Sequence, residues 1–180
     1  MKIKSPKNRT FIGMWALLLI TLLLPSCTTA KSYYEYTQTA FSARVEGTLN
    51  GVEIQAKIAA VPCDGGFFME VEYLAPDTLA GLSLTGSCTQ QGKAVGEITY
   101  RFFGKSGTSD AAVCKDLLLP VTALLNVQDP ARVERNEEGY LLSFSENSLL
   151  QLNEDSIPTR IHSNNVDFWV VWWDFQSNSD

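Results

Sequence analysis

FFMEVEYLAPDTLAGLSL, residues 67–84, reads as strand, tight turn, strand. Met69, Val71 and Tyr73 fall on one face, and Phe68, Glu70, Glu72 and Leu74 on the other. That period-two alternation marks a half-buried strand. Pro76 ends it, because proline has no N–H for a ladder and also restricts the residue before it, Ala75. Gly81 opens the return run Leu82–Ser83–Leu84. The stretch carries no nucleophile–base pair, so it speaks to architecture and not to chemistry.

The neighbouring segments extend the same pattern. Upstream, Ala43, Val45, Gly47 and Leu49 alternate with polar residues up to Asn50–Gly51, a type I′ turn pair. Val52, Ile54, Ala56 and Ile58 then continue the apolar face to a turn at Pro62–Gly66. Downstream, Ala94–Phe103 is a further strand, and Gly104–Thr108 reads as loop. Ala111–Val127 switches to helical spacing behind a capping Ser109 or Asp110. Pro120 should kink that helix or split it in two, since it removes one backbone bond and clashes with the preceding turn. Strands follow at Ala131–Glu134 and Tyr140–Ser145. Asn147–Asn153 fits either a strand or a helical turn. Thr159–Ser163 and Val166–Phe175 form a last hairpin about Asn164–Asn165. Strict alternation in its second strand puts Phe168, Val170 and Trp172 on one side, and Trp169, Val171 and Trp173 on the other. Both sides are apolar, so the strand is covered twice, by protein on one face and by protein, ligand or partner on the other.

The 180 residues suffice for one domain with a core. The net charge is −6, but Lys2, Lys4, Lys7 and Arg9 all precede Cys27 with no acid among them. Without residues 1–26 the chain keeps 10 basic and 20 acidic residues, or −10. Such a domain is a poor partner for nucleic acid, which needs clustered Lys and Arg. The N-terminus reads as a lipoprotein signal peptide over residues 1–26. A basic n-region is followed by the apolar FIGMWALLLITLLL and then Leu24–Pro25–Ser26–Cys27, a lipobox. The apolar run is about 14 residues, short of the ~20 that span a bilayer. Cleavage would leave Cys27 to carry a diacylglycerol thioether and palmitate-type acyl chains, each methylene buried at roughly 0.8 kcal/mol. The expected address is the extracytoplasmic face of the cell membrane, with the membrane a partner through that anchor. Residues 27–40 read as a polar tether, although Tyr33, Tyr34 and Tyr36 could instead pack on the domain, which spans 41–180.

Three cysteines remain. A hairpin centred on Pro76–Gly81 brings Cys63 and Cys88 to its open end, where a bridge and two free thiols are both open outcomes. Cys114 sits in the helical pattern. With no CxxC pair and one histidine, His162, no metal is expected, and no cofactor. No GxSxG, SxxK, HExxH or P-loop occurs, and the carboxylates read as solvated faces and turns, so an enzyme is not expected.

Tyr73–Leu74–Ala75–Pro76–Asp77–Thr78–Leu79–Ala80–Gly81–Leu82, together with Ile157–Pro158–Thr159–Arg160–Ile161 before the last hairpin, resembles the LolA/LolB-like lipoprotein-localisation fold, including GerS-like Gram-positive lipoproteins. The resemblance implies an α+β domain whose curved antiparallel sheet is an unclosed half-barrel covered by helix, and a role in binding acyl chains or a protein. The expectation is about seven to nine strands and one kinked helix. Two functional readings follow. In the first, a lipid or other apolar ligand enters a cavity lined by Val113, Leu117, Leu118, Val121, Leu124, Leu125, Tyr100 and Phe102, or the protein serves as an envelope adaptor. In the second, the core is fully packed and an envelope protein docks on a patch of Trp169, Trp172 and Trp173.

Overall fold

The computed structural model describes residues 33–175; the stretch read as a signal peptide and Cys27 lie outside them. Eleven strands form one antiparallel sheet. In chain order they are β1 (Phe41–Leu49), β2 (Val52–Cys63), β3 (Gly66–Ala75), β4 (Ser83–Thr89), β5 (Ala94–Phe102), β6 (Lys105–Asp110), β7 (Arg132–Asn136), β8 (Gly139–Ser145), β9 (Ser148–Leu152), β10 (Pro158–Ser163) and β11 (Val166–Phe175). The spatial order is β6-β5-β4-β3-β2-β1-β11-β10-β9-β8-β7. Two meanders therefore meet at the β1/β11 pair, and the sheet stays unclosed with β6 and β7 as its edges. Strand β3 is buried as its alternation requires: Phe67, Met69, Val71 and Tyr73 point into the core, while Phe68 and Glu70 are exposed.

Between the two edges the chain crosses the inner face as a short helical segment. It comprises α1 (Ala111–Cys114), a 3-10 turn (Lys115–Leu118) and α2 (Leu119–Thr122). Asp110 caps it, its Oδ1 accepting from the Ala112 N–H at 2.7 Å. Pro120 stands in the first turn of α2, where its missing N–H costs nothing, and this splits the segment in two as expected. The helix is shorter than its periodicity predicts. It stops at Thr122 because the backbone at Asn126 leaves to bridge Gln91, and Val127 N–H donates to the Gln90 carbonyl at 3.3 Å. Leu118, Val121, Leu124 and Leu125 are fully buried against the sheet, α2 packing on β2, β3 and β11. Tyrosine hydroxyls satisfy carbonyls that the broken helix leaves without partners. Tyr73 donates to Leu117 O at 2.9 Å and Tyr36 to Leu124 O at 2.7 Å.

Two points of the sequence reading are settled differently or more narrowly by the structure. The strand count is eleven and not seven to nine. One reason is that most of Gly104–Thr108, read as loop, belongs to strand β6, which runs on to Asp110. Phe103 and Gly104 have φ of +47° and +73°, so they make a tight turn that folds β6 back on β5. Phenylalanine is a poor advertisement for that turn. The other is Ser148–Leu152, which resolves as strand. Second, of the two readings open for residues 33–40 the packed one holds: Glu35–Gln38 is a 3-10 turn, with Tyr36 buried among Phe41, Trp173 and Leu124. Its aromatic surface is worth more buried than solvated, about 25 cal/mol per Å².

Candidate functional site

Ten residues of β11 face nine of β1, from Phe41↔Phe175 to Leu49↔Val166. The extra residue is a β-bulge: Val45 pairs with Val170 and Arg44 with Trp172, leaving Val171 unpaired. The bulge changes which residues share a face. Trp172 follows Arg44 outward and joins Trp169, which follows Glu46. Trp173 follows Ala43 inward, where it stacks on Phe41 at 4.3 Å between ring centres and meets Tyr36 edge-on at 5.5 Å. The alternation expected for this strand is thereby reversed beyond Val170. Of the predicted Trp patch, Trp169 and Trp172 lie together on the outer face and Trp173 belongs to the core.

The outer result is an aromatic strip with Trp169, Val171 and Trp172 49%, 51% and 50% exposed. Beside it lies an open groove of about 650 Å³ whose walls include Glu46, Thr48, Glu53, Gln55, Trp169 and Val171. The groove shares Trp169, Glu46 and Gln55 with a row set by the sheet register, which continues beyond the groove to Arg160 and Gln151. Gln151 pairs with Arg160, Arg160 with Trp169, Trp169 with Glu46 and Glu46 with Gln55. These side chains form one transverse row over five strands, about 19 Å long at ~4.8 Å per strand.

Ion pairs hold the row in place. Arg160 grips Asp167 with two bonds of 3.0 Å, and its guanidinium sits 4.6 Å from the Trp169 ring centre. The Arg160 hydrogen bond is the main reason the Asp167 carboxyl is held below its ordinary pKa, and the same bond raises that of Arg160. Arg44 Nη2 contacts Glu46 at 2.8 Å and donates to Gln55 Oε1 at 3.0 Å. His162 Nδ1 lies 3.6 Å from Asp167 Oδ2, beyond hydrogen-bond reach, and that nitrogen is buried without a hydrogen-bond partner. Among the described residues no three His, Cys, Asp or Glu side chains converge as metal ligands.

The other predicted site residues disperse. Leu118, Val121, Leu124 and Leu125 are core; Leu117 and Phe102 pack at its margin; Tyr100 is partly exposed and Val113 is 76% exposed. The crevices beside the helical segment are lateral. One of about 230 Å³ lies towards Leu150 and Ile161, below the ~300 Å³ typical of small ligand sites. One of about 480 Å³ lies towards β5, ringed by Lys93, Asp110 and Lys115. Cys63, Cys88 and Cys114 are free thiols, Cys63 exposed and the other two buried. The bridge weighed for Cys63 and Cys88 is not made here: Cys63 is opposite Gly66 and Cys88 opposite Phe67, rows that alternate between the faces. Burial, helped by the charge of Cys63 nearby, pushes the Cys88 thiol up to about 11. What reading the sequence missed was the transverse row, since its members come from five strands joined only by register.

The fold and this face define a class: an open β-rich domain, its inner face filled by a helical segment and its outer face bearing a polar–aromatic groove. No protein-family model matches the chain, and no curated protein matches it. Among solved structures it is similar to an uncharacterized conserved protein from Thermus thermophilus, at 18% identity over 84% of this chain and 90% of that one, with a TM-score of 0.49. It is also similar to a domain from Vibrio parahaemolyticus provisionally described as an outer membrane lipoprotein-sorting protein, at 7% identity over 84% and 92%, with a TM-score of 0.44.

Proposed function

We propose that the chain is a membrane-anchored, non-enzymatic binding lipoprotein of the cell envelope. Its anchor is the acylated Cys27, and its ligand docks on the outer face at Trp169 and Trp172. The observation that carries this reading is the β11 bulge, which gathers Trp169, Val171 and Trp172 on one face, each half exposed, beside the open groove of about 650 Å³. Half-exposed tryptophan with a stacked arginine is the composition of binding hot spots. The leucines that would line an interior lipid cavity are instead packed, which favours the outer face over the interior.

Two measurements test the reading. Cells fed an alkyne-tagged palmitate label the wild-type chain and leave Cys27→Ala unlabelled; equal labelling of the two would refute the anchor. Hydroxyl-radical footprinting then compares intact cells with the full chain purified in detergent. Oxidation of Trp169 and Trp172 falls several-fold in cells, whereas Phe103, 80% exposed on the β5–β6 turn, reacts equally in both. Unchanged reactivity of the two tryptophans would mean that nothing docks there.

A further inference from the structure

Building on that reading of the outer face, we infer that the groove takes an extended glycan chain laid across the strands from Trp169 over Glu46 and Gln55 towards Pro76. Three features converge on this occupant. The groove is open and crosses from β11 over β1 and β2 to the end of β3, about 14 Å at ~4.8 Å per strand, so the ligand is long and thin and not enclosed. Trp169 supplies a flat apolar ring face, the one opposite the Arg160 guanidinium, that the axial C–H groups of a pyranose can cover, while the Gln55 amide and the Glu46 and Glu53 carboxylates meet its hydroxyl and acetamido groups. Charge decides against the alternatives. Arg160 is matched by Asp167 and Arg44 by Glu46, so neither cation is left uncompensated to attract an anion.

A polyanion would meet Glu46 and Glu53 in a domain of net −10. An acyl chain would strip water from ion pairs that it could not replace. A neutral, hydroxyl-rich polymer does neither. Trp169 is pre-set for stacking, because the Arg160 guanidinium over its ring is itself fixed by two bonds to Asp167; the ligand orders little on binding.

The test is calorimetric titration of the full chain in a non-glycosidic detergent. The probes are the β-1,4-linked hexamer of N-acetylglucosamine and cellohexaose. At least one binds saturably. Trp169→Ala weakens it tenfold or more, and Trp169→Phe restores part of the loss. Arg160→Lys, which cannot make the two-bond grip, weakens it several-fold, and Val113→Ala on the far helical segment has no effect. Melting curves confirm that each variant is folded. Binding that Trp169→Ala leaves intact would overturn the inference. So would the absence of binding by both hexasaccharides; if the cellular footprint nevertheless protects Trp169, the docking face stands and its occupant is a protein.

Discussion

Gly47→Ala destabilises the protein by about 3–5 kcal/mol, combining a disfavoured backbone region with overpacking, and urea unfolding of the purified chain measures the loss. Gly47 lies in the middle of β1 with φ +153°, and a Cβ there would overlap the carbonyl oxygen of Asp167 and come within 2.9 Å of the Phe168 Cα. Both obstacles are backbone, so no side chain can swing aside. Relief requires β1 and β11 to separate, and that pair is where the two meanders join. The neighbouring turn provides the comparison. Gly51 also has positive φ, +79°, but a Cβ there meets nothing within 4 Å, so Gly51→Ala costs about 1 kcal/mol from backbone conformation alone. Equal losses for the two variants would show that close approach at Gly47 is unimportant. The same substitution displaces Asp167 and with it the grip on Arg160, so hexasaccharide binding falls with stability.

The contrast between these glycines shows what can be read from a linear chain. Asn50–Gly51 announces its turn because a hairpin is local and needs particular residues at two adjacent positions. The alternation of Met69, Val71 and Tyr73 is likewise local, and these residues are buried as it demands. The pairing of β1 with β11 is not local. Its extra residue becomes visible only when strands from opposite ends of the domain are laid side by side, and one bulged residue reverses every face after it. Trp169, Trp172 and Trp173 are conspicuous in the sequence, yet which two share a face depends on that bulge. Phe103–Gly104 hid β6 for a related reason: a phenylalanine at positive φ breaks the turn rule. The ion-paired row across five strands has no sequence period at all.

Tyr36→Ala tests the inward half of the same device and costs about 3–5 kcal/mol, the range for deleting a buried aromatic ring. Tyr36 lies fully within the core although its segment reads as tether. Its ring meets Phe41 and Trp173 edge-on, and its hydroxyl donates to Leu124 O at 2.7 Å. Tyr36→Phe keeps the ring contacts and leaves only that carbonyl without its partner, at about 1–3 kcal/mol. The alkaline limb separates the two contributions. Burial raises the Tyr36 pKa above its ordinary value near 10, so the folded state holds a proton that the unfolded chain releases. The stability from that group is complete below pH ~10 and declines as pH rises beyond it. Tyr36→Phe therefore unfolds with a shallower alkaline slope, and Tyr73 and Cys88, both raised by burial in the same direction, contribute to what remains. The larger consequence reaches through the sheet. Trp173 points inward because Phe41 and Tyr36 give it a seat, and that seat holds the register in which Trp172 points out. Tyr36→Ala should thus raise the reactivity of Trp173 to hydroxyl radicals and weaken hexasaccharide binding on the opposite face, while Tyr36→Phe leaves both nearly unchanged. Binding that survives Tyr36→Ala in a still-folded protein would mean that β11 keeps its bulge without the aromatic seat beneath it.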